Sequence, residues 1–270
     1  MKMQYLCTSI YTYKMNNNNY KVGIFIPCCV DQFNAATGIK MMHLLQKLGI
    51  DCYYPDDLTC CGMHLYQQGN REAAKQLGER LIGLYGQCTY IVSCSSACVA
   101  FIQHEFPHLF HNTAYHNDYR NFTSRCLDIS DFLVNFADYK PSGISFPHKV
   151  AILDHCTTRR DYTSPAHPER KGLHDEPRIL LNAIDGLQLL EMPQADVCCG
   201  FGGLFASQFT PISDSLARRK AENALSVGAE VIVSTEPSCL LHMQSYIDKN
   251  KLPLKCRHIV DILVNDDTNT

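Results

Sequence analysis

"DVCCGFGGLF", residues 196–205, sets two adjacent cysteines against a glycine, with two more glycines close behind. Just upstream, "LQLLEM" (187–192) is a short apolar run of strand character. Just downstream, "SDSLARRKAENALSVG" (213–228) has helical periodicity. A cysteine pair in the turn between a strand and a helix occurs a second time. "TCCGMHL" (59–65) follows the strand "DCYYP" (51–55) and precedes the helix "REAAKQLGERLIGLYG" (71–86). This recurrence divides the chain into two related units.

The surrounding pattern agrees. In the first half, "KVGIFIP" (21–27) reads as a strand, residues 34–49 as a helix closing on Gly49, and "TYIVS" (89–93) as a third strand. In the second half "KVAILD" (149–154) is a strand, "EPRILLNAI" (176–184) helical, and "EVIVS" (230–234) a strand. Alternating strands and helices of this length imply parallel sheets with crossover helices, hence an α/β protein of two parallel-sheet units. The units are expected at 21–104 and 148–264, joined by a helical connection over 105–147. The asparagine-rich first 20 residues read as a disordered extension, with Met15 a candidate start, and 265–270 as a tail.

With 46% hydrophobic residues, 19% charged and a net charge of −3, the 270-residue chain has the composition of a soluble globular protein. It lacks the basic face that a nucleic-acid partner requires, and no apolar run is long enough for a membrane span. The N-terminus shows no apolar secretory segment, so the expected location is cytoplasmic. Fifteen cysteines are many for such a chain. In a reducing compartment they read as metal ligands or redox groups rather than disulfides. Cys7, Cys52, Cys88, Cys126 and Cys256 fit small buried packing residues.

The others follow an order. Cys28 follows the first strand, Cys60 and Cys61 the second, Cys98 the third; Cys156, then Cys198 and Cys199, then Cys239 hold the same places in the second half. The gaps are 31 and 36 residues in one half, 41 and 39 in the other, and a glycine follows both pairs (Gly62, Gly200). Ligands of open parallel sheets collect at the carboxyl ends of strands, so four thiolates are expected to converge in each unit. Four soft sulfurs suit zinc or an iron–sulfur cluster. Structural zinc usually takes ligand pairs two to four residues apart. A single cysteine, an adjacent pair and another single, so widely spread, can surround a larger object, which favours a cluster. The glycines are expected to clear space for it and to supply N–H donors. "GFGG" has the look of a phosphate loop, but it lacks G-x-G-x-x-G spacing and a P-loop lysine.

These residues resemble the cysteine-rich CCG-domain family, which includes the B subunit of heterodisulfide reductase and the iron–sulfur subunit of glycolate oxidase. The resemblance runs from about Val22 to Val264. It rests on "FIPCCVDQF" (25–33), "TCCGMHLYQQG" (59–69), "FPHLF" (106–110), "CCGFGG" (198–203), "GAEVIVS" (228–234) and "HIVDIL" (258–263), and is closest to the lactate-utilization members. It implies an iron–sulfur oxidoreductase component, carrying one or more clusters of the 4Fe-4S type, in a multiprotein system oxidising L-lactate to pyruvate. The implied partners are a ferredoxin-type iron–sulfur protein and a third lactate-utilization component. Within the superfamily, a subunit of glycolate oxidation or heterodisulfide reduction is the alternative; outside it, a zinc-stabilised interaction protein.

Two departures stand out. Many relatives close each motif with C-x-x-C, giving five cysteines per unit. Here the endings are "SCSSAC" (93–98) and "STEPSC" (234–239), which leaves Cys94 as a fifth ligand or a spare and puts Glu236 where a thiolate would sit. "HCTTRR" (155–160) has Thr157 where the family pattern leads one to expect histidine. Among the remaining residues, His104, His108, His111 and His116 read as surface or packing groups, and His155 as a neighbour of the second cysteine set. Arg159, Arg160 and Arg178 could bind a carboxylate substrate, and ordinary surface pairing fits each equally well.

Overall fold

The first strand, β1 (Lys21–Phe25), is buried from Val22 to Phe25, as a parallel strand covered on both faces must be. The computed structural model of the chain describes residues 20–169 and 174–264. The expected extension therefore lies, Tyr20 apart, outside the described residues, as do Cys7, Met15 and the 265–270 tail.

Following β1 come α1 (Cys28–Phe33), α2 (Ala35–Lys47), β2 (Asp51–Tyr53), α3 (Met63–Gln67), α4 (Arg71–Leu84), β3 (Tyr90–Ser93), α5 (Ser96–Phe110), α6 (His116–Thr123), β4 (Cys126–Asp128) and the short α7 (Ile129–Asp131). The second half runs β5 (Lys149–Ile152), α8 (Cys156–Asp161), α9 (Glu176–Asn182), β6 (Gln188–Leu190), α10 (Leu204–Gln208), α11 (Thr210–Ser226), β7 (Val231–Ser234), α12 (Pro237–Asn250), β8 (Lys255–His258) and α13 (Ile259–Leu263). The strands form two four-stranded sheets, β2-β1-β3-β4 and β6-β5-β7-β8, with every pairing parallel. The fold is α/β, with two parallel sheets of the same strand order.

The register makes the repeat exact enough to pair residues between units. Val22 faces Cys52 and Tyr90, just as Val150 faces Leu189 and Val231. Cys28 then corresponds to Cys156, Val30 to Thr158, Asp31 to Arg159 and Tyr54 to Glu191.

Several expected elements are revised. β1 stops at Phe25 rather than residue 27, because Pro27 has no N–H for the ladder and instead precedes α1. β5 likewise stops at Ile152, and His155 caps α8 by accepting from the Thr157 N–H. The helical connection expected over 105–147 also contains β4, the edge strand of the first sheet. β8 is the matching edge in the second.

Three apolar layers hold the molecule together. One lies between the units and takes Val22, Ile24 and Leu127 from the first with Val150, Val233 and Ile259 from the second. The other two line the outer side of each sheet. Polar ties cross the junction as well. Asp131 accepts from Tyr162 Oη (2.5 Å), Ser164 Oγ (2.9 Å) and Asn135 Nδ2 (2.7 Å). His174 Nε2 lies 3.2 Å from Asp128 Oδ1, within ion-pair reach but out of line for a hydrogen bond. Among the described residues, no helix is long and apolar enough to cross a membrane.

Candidate iron–sulfur sites

At the carboxyl end of each sheet, the eight singled-out cysteines form two sets of four. Cys28 and Cys156 open the helices that follow β1 and β5; Cys98 and Cys239 lie in the first turns of α5 and α12; the adjacent pairs occupy the turns after β2 and β6. In the first set, Cys28 Sγ lies 3.5 Å from Cys60 Sγ and Cys61 Sγ 3.3 Å from Cys98 Sγ. In the second, Cys156 and Cys198 are 3.9 Å apart, and Cys199 and Cys239 2.8 Å. All the described cysteines are free thiols.

The glycine after each pair has two physical tasks. Gly62 and Gly200 have φ of +87° and +95°, the left-handed region that favours glycine. An added Cβ would stand 3.0 Å from the Ala74 carbonyl oxygen at the first and 2.7 Å from that of Ser213 at the second. The space gained is toward the next helix, not toward the thiols, so the expected clearance for a cluster is corrected. The expected N–H donor is present: Gly62 N donates to Cys60 Sγ (3.4 Å) and Gly200 N to Cys198 Sγ (3.3 Å). The last glycine of "GFGG" serves packing between units, since a Cβ on Gly203 would fall 2.7 Å from His64 Nδ1.

Hydrogen bonding selects the same thiolate in each set. Bonds from Cys28, Cys61 and the Gly62 N–H lower the pKa of Cys60, against the effect of burial. Bonds from Cys156, Cys199 and Gly200 do the same for Cys198. The donor thiols are raised in turn, Cys28 and Cys156 chiefly by those same bonds. Cys239 is lowered to about 7, first by its bond from Cys199 and then by His155. Burial would lower His155, but the charge and hydrogen bond of Cys239 outweigh it and raise the imidazole to about 9. His155 is therefore in contact with the second cysteine set, as expected.

Cys94 is fully buried in the apolar layer between the units. Its carbonyl accepts from His258 Nε2 at 3.0 Å. Its environment is that of a packing residue. Glu236 is 2% exposed and every lone-pair direction is used: Oε2 accepts from Ser95 Oγ (2.7 Å) and Ala97 N (2.9 Å), Oε1 from Ser238 N (3.1 Å) and Ser238 Oγ (2.6 Å). Instead of replacing a thiolate, it ties the N-terminus of α12 to that of α5 across the junction. Ser95 Oγ also accepts from Cys98 N (3.3 Å), so a hydrogen-bond chain runs from Cys98 through Ser95 to Glu236.

One residue escaped the sequence reading. Cys29 lines a small cavity with Cys28, Cys60, Cys61 and Cys98, bordered by Glu236 of the second unit. Burial, then the charge of Glu236, pushes its thiol up to about 12. The signal was there in "PCC", a further adjacent pair, but the repeat assigned a role to Cys28 alone. Of the arginines, Arg160 pairs with Asp161, while Arg178 spends its guanidinium on Asp154 and Glu191. The four linker histidines are exposed or half-buried.

The donor set fits an iron–sulfur cluster: each unit offers four sulfurs, with no carboxylate or imidazole among them, from three strand ends. Among the described residues, no three His, Cys, Asp or Glu side chains are arranged to hold one metal ion.

Comparison with known proteins places the two cysteine sets in two copies of one domain. The pattern of the cysteine-rich domain, CCG, matches residues 22–103 and 150–244, one copy per sheet. The chain is similar to lactate utilization protein A 1 of Bacillus cereus (strain AH820), 30% identical over 244 residues, covering 90% of this chain and 98% of that one. Lactate utilization protein A of Bacillus thuringiensis (strain Al Hakam) matches to the same extent. Among solved structures, glutamate racemase isoform RacE1 of Bacillus anthracis aligns over 91% of this chain and 79% of that one. Its 8% identity and TM-score of 0.35 are too low to bear on fold or function. From its two matched repeats and its likeness to the lactate utilization proteins, this chain belongs to the CCG cysteine-rich domain family.

Proposed function

We propose that each four-thiol set holds an iron–sulfur cluster of the 4Fe-4S type, and that the chain is the electron-transfer subunit of a multiprotein system oxidising L-lactate to pyruvate. The observation that carries this reading is the repetition of an all-thiol set at the same edge of two equivalent sheets. The likeness to the lactate utilization proteins supplies the lactate part of the proposal. Cys28, Cys60, Cys61 and Cys98 would hold one cluster, and Cys156, Cys198, Cys199 and Cys239 the other.

Such a cluster, when bound, takes up and passes on single electrons. The chain's residues fix its surroundings. Gly62 and Gly200 aim N–H groups at Cys60 and Cys198, and hydrogen bonds to cluster sulfurs are among the levers that set potential. His155 buttresses Cys239, and Glu236 holds the helices bearing Cys98 and Cys239 in register. The second unit's Glu236, Pro237 and Ser238 border the first unit's thiol cavity, so the two sites are neighbours. The system would act in the cytoplasm, with a ferredoxin-type iron–sulfur protein and a third lactate-utilization component.

Deleting the gene and growing the cells on single carbon sources tests the substrate. Loss of growth on L-lactate, restored by the wild-type chain, supports the proposal. Normal growth on L-lactate with loss on glycolate would move the chain to a glycolate-oxidising complex.

A further inference from the structure

The internal repeat lets each thiol set serve as the other's control, because α4 and α11 stand behind the two cysteine pairs in the same way. The backbone carbonyl that crowds Gly62 belongs to Ala74, and the one that crowds Gly200 belongs to Ser213. Counting on from those two residues pairs Gly78 with Ala217, Leu81 with Lys220 and Ile82 with Ala221, all of them buried. Leu81 and Lys220 have no exposed surface at all. The second unit therefore keeps an ammonium where the first keeps an apolar side chain.

A buried ammonium is costly unless it is paired or hydrogen-bonded. Lys220 Nζ donates to the carbonyl oxygens of Ala195 (3.0 Å) and Gln194 (3.4 Å), in the turn that leads into Cys198. Ala195 lies three residues before Cys198, a backbone reach of about 11 Å at most. Burial disfavours the charge on Lys220, while the charges of Cys199, Asp154, Cys239 and Cys198 favour it. That attraction is mutual, so the ammonium favours negative charge on the second thiol set. Holding the turn does not itself require a charge: Asn223 Nδ2, a neutral donor, holds the neighbouring Pro193 carbonyl at 2.8 Å.

The other surroundings of the two sets match. Cys60 and Cys198 each accept from a glycine N–H, at 3.4 and 3.3 Å. Each has one histidine acting on it, His64 on Cys60 and His155 on Cys198. In both sets two thiols are buried and two half-buried. Glu236 bears on both, bordering the first cavity and acting on Cys239. Asp56 and Asp57 before the first pair and Asp196 before the second are exposed, where solvent screens them. Asp154 and Glu191 are balanced by Arg159 and Arg178. Lys220 is left as the buried charge without a counterpart.

We infer that Lys220 makes the second site the better electron acceptor, so that a single electron on the chain leaves the first unit's cluster oxidised and the second unit's reduced. Net charge around a cluster is one of the levers on its potential, and a nearby cation favours the more negative, reduced state. The inference rests on the two proposed clusters and gives them an order.

The test is an anaerobic redox titration of the full chain, followed by electron paramagnetic resonance, in wild type, Lys220→Gln and Lys220→Leu. The signal that survives in Cys60→Ala belongs to the second unit, and the one that survives in Cys198→Ala to the first. In wild type the second unit's cluster is reduced first. Lys220→Gln keeps a donor for the turn and removes the charge; Lys220→Leu installs the first unit's residue. Both make reduction of the second cluster about tenfold to a hundredfold less favourable, the effect of one charge acting over about 6–12 Å at an effective dielectric of about 20. At 59 mV per tenfold for one electron, its midpoint falls by about 60–120 mV, and the first unit's midpoint moves less. A lysine that only clamps the turn would leave the midpoint in Lys220→Gln where it was, and thermal melting of the same samples reports any loss of the clamp. Equal midpoints in wild type, earlier reduction of the first cluster, or an unmoved second midpoint in Lys220→Gln overturns the inference and leaves the cluster proposal standing. A wild-type chain purified without iron overturns both.

Discussion

Replacing Glu236 with glutamine removes one charge and one acceptor from the most heavily used side chain at the junction. The carboxylate accepts four hydrogen bonds, two from α5 and two from α12. A glutamine amide nitrogen can only donate. Facing α12, it can turn the Ser238 hydroxyl into an acceptor but leaves the Ser238 N–H without one; facing α5, it strands the Ala97 N–H in the same way. One buried orphan N–H costs about 1–3 kcal/mol, and weakening the other bonds by loss of charge adds about 1 kcal/mol. The expected loss is therefore about 2–4 kcal/mol, or a fall in Tm of about 4–16 °C for a chain of this size. Glu236→Ala also removes the N-cap of α12, at about 1 kcal/mol more. Urea unfolding of the reduced chain, followed by circular dichroism, measures the difference. Because the tie holds the helices carrying Cys98 and Cys239, iron loading should fall at both sites together. A change below about 0.5 kcal/mol, the size of an ordinary surface substitution, would refute the assignment of Glu236 as a cross-tie.

Other outcomes follow from single contacts. Gly200→Ala puts a Cβ 2.7 Å from the Ser213 carbonyl oxygen at a left-handed position, so thermal melting should show a loss of about 2–4 kcal/mol; a loss under about 1 kcal/mol would contradict the close approach. Cys94→Ala should leave iron content unchanged, whereas Cys98→Ala should lose the first unit's share; equal iron loss in the two would make Cys94 a ligand after all. Burial lowers His174, but the nearby Asp128 carboxylate, 3.2 Å away, and the charges of Glu176 and Asp131 raise it above its ordinary 6.5. A raised pKa means that the folded state holds the proton more tightly, so the stabilisation is complete below about pH 6.5 and fades as pH rises through the folded value. The stability gap between wild type and His174→Gln should shrink from pH 6 upward; a gap that widens would reverse the assignment.

Two levels of the molecule were legible in the sequence to different degrees. The strands buried on both faces announced themselves as apolar runs, and the cysteines at their ends repeated in an order that packing alone does not produce. The edge strands "CLD" and "KCRH" did not, because three or four residues with mixed polarity carry no period. The role of the paired glycines could be half anticipated: their N–H donors follow from the motif, whereas the approach of α4 and α11 that forbids a side chain is a tertiary fact. Glu236 was conspicuous only as a missing cysteine. Its actual partners, Ser95 and Ala97, lie about 140 residues away, and no local pattern links them. The replacement of Tyr54 in the first unit by Glu191 in the second likewise becomes visible only when strand register aligns the two units.

The central claim, two cysteine-ligated clusters, is tested most directly by iron and acid-labile sulfide analysis of the anaerobically purified chain and of two variants, Cys60→Ala and Cys198→Ala. Two clusters of the 4Fe-4S type require about eight irons and about eight sulfides per wild-type chain. Each variant should retain about half, with the remaining signal assigned to the intact unit by electron paramagnetic resonance. A colourless protein carrying stoichiometric zinc, or iron that vanishes entirely in either variant because a single cluster draws on both units, would contradict the account.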